Sequence, residues 1–124
     1  MEKAALIAEL QLAGIKHTPE KIVRIAKTRD NKIVFLEEGN ASCGLEHILA
    51  KAAQFAKQGI EFSEIPEVVI AAVCEGDIVG YQGIKDKPRA IYQFTFKGET
   101  KYLAVSVSDN GYIVGANPRT KPQS

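Results

Sequence analysis

Residues 89–117, RAIYQFTFKGETKYLAVSVSDNGYIVGAN, decide the fold because they combine alternating stretches with two turn signals. Apolar and polar side chains alternate along 89–97 and again along 100–108, which predicts strands with one buried face. Gly98-Glu99 and Asn110-Gly111 predict two-residue hairpin turns. We therefore predict an antiparallel meander that begins with a strand at 77–82 and ends with a strand at 112–117.

The two turns also predict which residues face each other. A turn at Gly98-Glu99 pairs Tyr92 with Val105, and a turn at Asn110-Gly111 pairs Val105 with Ala116, so that apolar residues meet apolar residues. The other face then contains no carboxylate. Its polar side chains are Arg89, Gln93, Thr95, Tyr102, Ser106, Ser108 and Asn117. Such a face is either a solvated sheet surface or a surface that holds a phosphodiester without a metal.

Helical patterns precede the strands. Apolar spacing and end signals predict helices over 3–13, 18–27, 44–58 and 63–74, with one short strand at 32–36. Helices followed by a meander are typical of the α+β class, so we expect N-terminal helices packed on one face of a C-terminal antiparallel sheet. The predicted organisation is an N-terminal helical segment at 1–31, a main domain at 32–118 and a disordered tail at 119–124.

The composition excludes several function classes. The chain has 124 residues, of which 45% are hydrophobic and 25% charged, as expected for one globular domain. We expect neither a membrane span nor a signal peptide. Cys43 and Cys74 form no disulfide framework or zinc motif, and no nucleotide-binding motif occurs, so we expect no cofactor.

Charge is distributed unevenly along the chain. Residues 1–80 carry 9 Lys/Arg and 12 Asp/Glu, a net of −3, whereas residues 81–124 carry 7 Lys/Arg and 3 Asp/Glu, a net of +4. The basic third either keeps the domain in solution or binds phosphate.

Few side chains qualify for catalysis. His47 is the best candidate for a general acid or base, although a histidine on a polar helix face is often only solvated. Cys43, just before a predicted helix, is an alternative nucleophile without a clear third group. Arg89 either holds a phosphate or merely begins a strand, and Tyr92 falls on the apolar face.

Several segments resemble one known group of proteins. These are GLEHIL at 44–49, GI at 59–60, IP at 65–66, EGDIVGYQG, the RAIY strand and the ending NGYIVGANP. Over about residues 32–118 the chain resembles the small nuclease domains of the barnase/EndoU/colicin/RelE superfamily. Such domains occur at the C-terminus of contact-dependent growth inhibition and other polymorphic toxins, and in phage proteins.

The resemblance implies metal-independent cleavage of RNA, often tRNA, by attack of the ribose 2′-hydroxyl, which leaves a 2′,3′-cyclic phosphate. It implies that His47 is the acid or base and that Arg89, followed by Tyr92, holds the phosphate. Ser106 and Asn117, in the last two strands, would supply a hydroxyl and an amide in place of the family's own residues there. The family pattern GLxHIxxxH places a second histidine where this chain has Ala52. The copy is then either inactivated or independent of that histidine.

The resemblance also implies a setting. The domain would be delivered into the cytoplasm of a target bacterium, where its partners are RNA and a cognate immunity protein. The alternative from another class is a non-catalytic binding or adaptor module of the same fold.

Overall fold

The computed structural model describes residues 2–15, 17–82 and 89–119 of the chain. Its helices and strands follow in this order: α1 (Glu2–Leu12), β1 (Ile22–Lys27), β2 (Ile33–Glu37), α2 (Gly44–Leu49), α3 (Ala52–Lys57), α4 (Ile65–Glu75), β3 (Asp77–Gln82), β4 (Arg89–Phe96), β5 (Glu99–Val107) and β6 (Ile113–Arg119). The predicted α+β class is confirmed. None of the helices in the described ranges is long and apolar enough to cross a membrane.

Two antiparallel sheets make up the β structure. The larger has the order β3-β4-β5-β6, which is the predicted meander, and the smaller is the hairpin β1-β2. An isolated parallel bridge between Phe35 and Tyr112 joins the hairpin to the start of β6. The β1–β2 hairpin therefore lies beside the residues that lead into β6.

The main core lies between α4 and one face of the larger sheet. Val68, Val69 and Ala72 of α4 are fully buried in one cluster with Phe94 and Leu103 of the sheet. A smaller cluster forms where Leu10 of α1 packs with Ile22 and Phe35 of the hairpin. Helices thus cover one face of the meander, as predicted.

The helix predicted over 18–27 is wrong in most of its length. Only Pro19–Lys21 form a single 3₁₀ turn, and residues 22–27 form β1, which pairs with β2 from Lys27↔Ile33 to Ile22↔Glu37. β-Branched residues dominate this stretch and favour an extended chain when a partner strand is present. The pairing ties the predicted N-terminal segment 1–31 to the following region.

The predicted single helix at 44–58 is divided into α2 and α3. The Lys51 N–H donates to the Ile48 carbonyl, a 3₁₀ bond in place of an α-helical one, and the chain resumes as α3 at Ala52. The break leaves Lys51 between two short helices.

The first hairpin turn of the meander lies one residue earlier than predicted. Lys97 and Gly98 form it with φ of 53° and 79°, and Phe96 faces Glu99. Such a turn needs positive φ at both central positions, so glycine fits the second position better than glutamate does. Tyr92 therefore pairs with Leu103 instead of Val105, a two-residue shift that keeps every side chain on its predicted face.

The predicted two-residue turn at Asn110-Gly111 is wrong, because the Ser108 N–H donates to the Tyr112 carbonyl, the Gly111 N–H donates to the Ser108 carbonyl, and Asn110 is not at a positive φ. Residues 109–111 close this hairpin, and a bulge between Ser106 and Val107 restores the predicted register beyond it. Val105 pairs with Ala116, Ser106 with Gly115, and Ala104 with Asn117. β6 extends through Arg119, the first residue of the predicted disordered tail. The rest of that tail and the loop expected at 83–88 lie outside the described residues.

Candidate functional site

A gap in the polar face of the sheet brings two catalytic candidates together. Gly115 faces away from the helical core, since its neighbour Ala116 belongs to that core. A Cβ atom at Gly115 would lie 2.6 Å from Nη2 of Arg89 and 3.2 Å from Cδ2 of His47. The imidazole and the guanidinium therefore share the space above this glycine.

His47 reaches that space from α2, which packs beside β6 at the edge of the sheet. Its neighbour Ile48 is fully buried in the core and anchors the helix, while His47 is more exposed. Nδ1 lies 2.9 Å from the carbonyl oxygen of Ala41. Because a carbonyl only accepts hydrogen bonds, Nδ1 carries a proton in this contact, and Nε2 is the nitrogen of the ring that can accept a proton.

Arg89 reaches the same space from the first position of β4. Its Nη1 donates to Oδ1 of Asn117 at 2.8 Å, and Nε2 of Gln82 donates to the same oxygen at 2.9 Å. Burial lowers the pKa of Arg89, although a guanidinium remains charged near neutral pH. Within the described ranges no carboxylate pairs with it, so its charge is oriented by an amide without being neutralised.

A second cation lies within electrostatic range of Arg89. The pKa of Lys51 is lowered first by burial and then by the positive charge of Arg89. Two cations whose charges influence each other, and which no carboxylate among the described residues pairs with, create a site that favours an anion.

The predicted site residues divide into two groups. Ser106 lies beside the pair, opposite Gly115, and its Oγ donates to the Gly115 carbonyl at 3.3 Å. The structure thus brings together His47, Arg89, Ser106 and Asn117. With Lys51, Gln82 and Gly115 we call this set the His47–Arg89 cluster.

Tyr92 and Ala52 lie elsewhere. Tyr92 packs against the core on the helical face, where burial raises its pKa, and it lines an open cavity of about 910 Å³ beneath the β1–β2 turn. Ala52 is half-buried against the same core. The contacts of the His47–Arg89 cluster include neither residue.

Sequence reasoning missed three members of the cluster as functional residues. Lys51 follows His47 by one helical turn and lies on its predicted polar face, which was an available signal. Gln82 faces Arg89 across the β3–β4 pair. Gly115 was visible only as a small residue opposite Ser106 in the last hairpin.

Cys43 supports the loop that holds His47. Tyr112 Oη donates to the Cys43 sulfur at 3.4 Å, and Asn40 and Cys43 form an isolated bridge around Ala41. His47 directs its Nδ1 to the Ala41 carbonyl and not to this thiol, so the contacts are those of a supporting residue.

No metal ligand set is formed by the part of the chain that the structure describes, where no three His, Cys, Asp or Glu side chains converge. The cluster instead combines one imidazole, two cations, two amides and a hydroxyl. This set can bind an anion, hold its orientation and move one proton. Comparisons of the sequence with protein-family models and with curated proteins give no match, so the resemblance noted above and this geometry carry the functional argument.

Proposed function

We propose that the chain is a toxin-type endoribonuclease that cleaves RNA, with tRNA as the expected substrate, without a metal. The observation that carries the proposal is the meeting of His47 and Arg89 over Gly115, beside a second cation and without a described carboxylate. Cleavage of a phosphodiester by an adjacent hydroxyl needs cations that hold the phosphate and a group that accepts the hydroxyl proton, and the cluster contains both.

In the proposed reaction, Nε2 of His47 removes the proton from a ribose 2′-hydroxyl. The 2′-oxygen attacks the adjacent phosphorus, the bond to the 5′-oxygen breaks, and a 2′,3′-cyclic phosphate remains. Arg89 and Lys51 stabilise the negative charge that grows on the nonbridging oxygens, and Asn117 holds the guanidinium in place. Water supplies the proton to the departing 5′-oxygen.

This scheme assigns one proton transfer to the protein. The family pattern has a second histidine at position 52, and Ala52 offers no proton. We therefore propose that this copy is impaired. Because Ala52 packs against the core and outside the contacts of the cluster, Ala52→His tests whether an imidazole introduced there protonates the leaving oxygen.

The second candidate function is a non-catalytic module that binds RNA through the same cluster. One observation favours it: within the described ranges, His47 is the single imidazole of the cluster, whereas the family pattern has two histidines. A module of this kind binds RNA without cutting it, and loses binding when Arg89 is replaced.

The deciding experiment incubates total tRNA with the wild-type chain, His47→Ala and Ala52→His in excess EDTA. The proposal expects fragments that end in 2′,3′-cyclic phosphate, more of them with Ala52→His and none with His47→Ala. If neither the wild type nor Ala52→His cleaves, while RNA binding persists and weakens with salt, the binding module replaces the nuclease. If neither cleavage nor salt-sensitive binding occurs, both functions are excluded.

The proposal includes a biological setting. A toxic nuclease requires a cognate immunity protein, and we expect that partner to be acidic where it meets the basic residues of 81–124. The site of action is the cytoplasm of the target bacterium. Co-purification with the product of the adjacent open reading frame tests this expectation.

A further inference from the structure

Tyr102 lies on the same face of the sheet as the His47–Arg89 cluster. It pairs with Gln93 on one side and with Arg119 on the other. Its neighbour Leu103 is fully buried among the helices, so Tyr102 points to the opposite face, where it is partly exposed. The ring has no role in the proposed chemistry.

Buried apolar residues separate Ser106 from Tyr102 along β5. Ser106 and Tyr102 are four residues apart on β5, which corresponds to about 13 Å along the strand. Ile91 and Ala104 lie between them on this face, with exposed fractions of 2% and 0%. Both are covered by their surroundings, and Asn117, which pairs with Ala104, is the hydrogen-bonding side chain beside them.

Charge along this path favours a polyanion. Arg89 lies at one end and the exposed Arg119 at the other. β4, β5 and β6 place no carboxylate on this face, because Glu99 pairs with Phe96 on the helical side. A sheet surface that combines cations with a partly exposed aromatic ring is typical of proteins that bind single-stranded nucleic acid.

We propose that Tyr102 is a nucleobase-stacking platform for single-stranded RNA whose phosphate occupies the His47–Arg89 cluster. This inference rests on the proposed function and specifies the conformation of its substrate. A paired base cannot stack on the ring without leaving its duplex, so the site selects loops and unpaired ends.

The first measurement uses the fact that the chain contains no tryptophan. Tyr102→Trp introduces one reporter, and its fluorescence is followed while 2′-O-methyl octauridylate, which cannot undergo 2′-hydroxyl attack, is added. Stacking quenches the indole. The control is Tyr81→Trp, since Tyr81 is 65% exposed and pairs with Ala90, whose other partner Val105 lies in the core. We expect quenching in Tyr102→Trp and none in Tyr81→Trp.

The second measurement compares affinities for the same oligonucleotide. Tyr102→Leu should bind about 10-fold more weakly, within a range of about 5- to 100-fold, and Tyr102→Phe should bind like the wild type. An RNA duplex of the same length should compete poorly with the single strand.

The outcomes separate this inference from the proposed function. If Tyr102→Leu binds like the wild type while Arg89→Met binds weakly, or if bound RNA leaves the indole fluorescence of the Tyr102→Trp variant unchanged, the stacking platform is refuted and the phosphate site stands. If Tyr102→Leu does not fold, the quenching measurement decides. If the wild-type chain does not bind the oligonucleotide, both proposals fail.

Discussion

His47 and Arg89 reach one point of the sheet from opposite directions, the histidine around the edge strand β6 and the arginine across β5. Both lie within 3.2 Å of the position that a Cβ of residue 115 would occupy. Their proximity depends on a residue without a side chain. It is the feature on which the proposed chemistry and most of the following predictions depend.

Gly115→Val should therefore disable the site without unfolding the protein. Gly115 is not at a positive φ, and valine is favoured in strands, so the backbone accepts the change. The new side chain displaces the guanidinium and the imidazole, and affinity for RNA should fall about tenfold or more. Filter binding measures the loss, and circular dichroism with a melting curve checks the fold. Wild-type affinity in a folded Gly115→Val protein contradicts the assignment of this site.

His47→Gln should separate chemistry from binding. Glutamine keeps a polar side chain near Ala41 but does not accept the 2′-hydroxyl proton, so cleavage should fall by about a hundredfold or more. Affinity for 2′-O-methyl RNA should persist, because Arg89 and Lys51 remain. The matched control is His17→Gln, which replaces the other histidine of the chain. Its ring packs edge-on to Phe35 of the hairpin and takes no part in the cluster, so this variant should lose stability but retain cleavage.

Arg89→Met should reduce both the affinity and its salt dependence. A cation that contacts one phosphate contributes a slope of about 0.7 in the logarithm of affinity against the logarithm of salt for a single strand. The variant should lose about that slope. Arg24→Met is the control, since Arg24 is exposed on β1 and donates to the carbonyl of its own neighbour Val23. An equal loss of slope in both variants would mean that Arg89 acts only through overall charge.

The sheet was predictable from sequence where a turn signal was strong. Asn110-Gly111 marked the place of the second hairpin, but the chain turns over residues 109–111, and a bulge between Ser106 and Val107 restores the predicted pairing of Val105 with Ala116. β1 was not predictable in this way. Its apolar residues fit a helix as well as a strand, and only the pairing with β2, the second strand of the hairpin, decides between them.

The site was predictable in composition but not in geometry. His47 and Arg89 follow from their chemistry and from the resemblance, and the face of Arg89 follows from strand alternation. Their proximity depends on where α2 packs against the edge of β6, which no local pattern encodes. Tyr92 was proposed from the motif although alternation already placed it on the apolar face, and that simpler argument agrees with the structure.

Lys51 should make RNA binding sensitive to alkaline pH. Burial, and then the charge of Arg89, lower its pKa from the ordinary value of 10.5. Its ammonium therefore becomes neutral at a lower pH than an exposed lysine, and phosphate affinity should decline as pH rises through that value. Lys51→Arg keeps the charge and should bind RNA with a flatter profile at alkaline pH, below the ordinary lysine pKa. Identical profiles for the two proteins would remove Lys51 from the binding site.

The ion pair between Glu64 and Lys97 should stabilise the protein at neutral pH and not in acid. It links the β4–β5 turn to the start of α4, and Glu64 also accepts a hydrogen bond from the Glu61 N–H at 2.9 Å. The contact with Lys97, more than any other, lowers the pKa of Glu64 from the ordinary value of 4.5.

Because the pKa of Glu64 is lower in the folded protein than in the unfolded chain, the stabilisation is complete above the unfolded value and disappears as pH falls through the folded one. Glu64→Gln should therefore melt at a lower temperature than the wild type at about pH 7, and the difference should vanish in strong acid. Lys97→Gln should reproduce the loss at neutral pH, and the double variant should lose less than the two single losses combined. A difference between wild type and Glu64→Gln that is independent of pH would show that packing, and not the charge of Glu64, holds the turn to the helix.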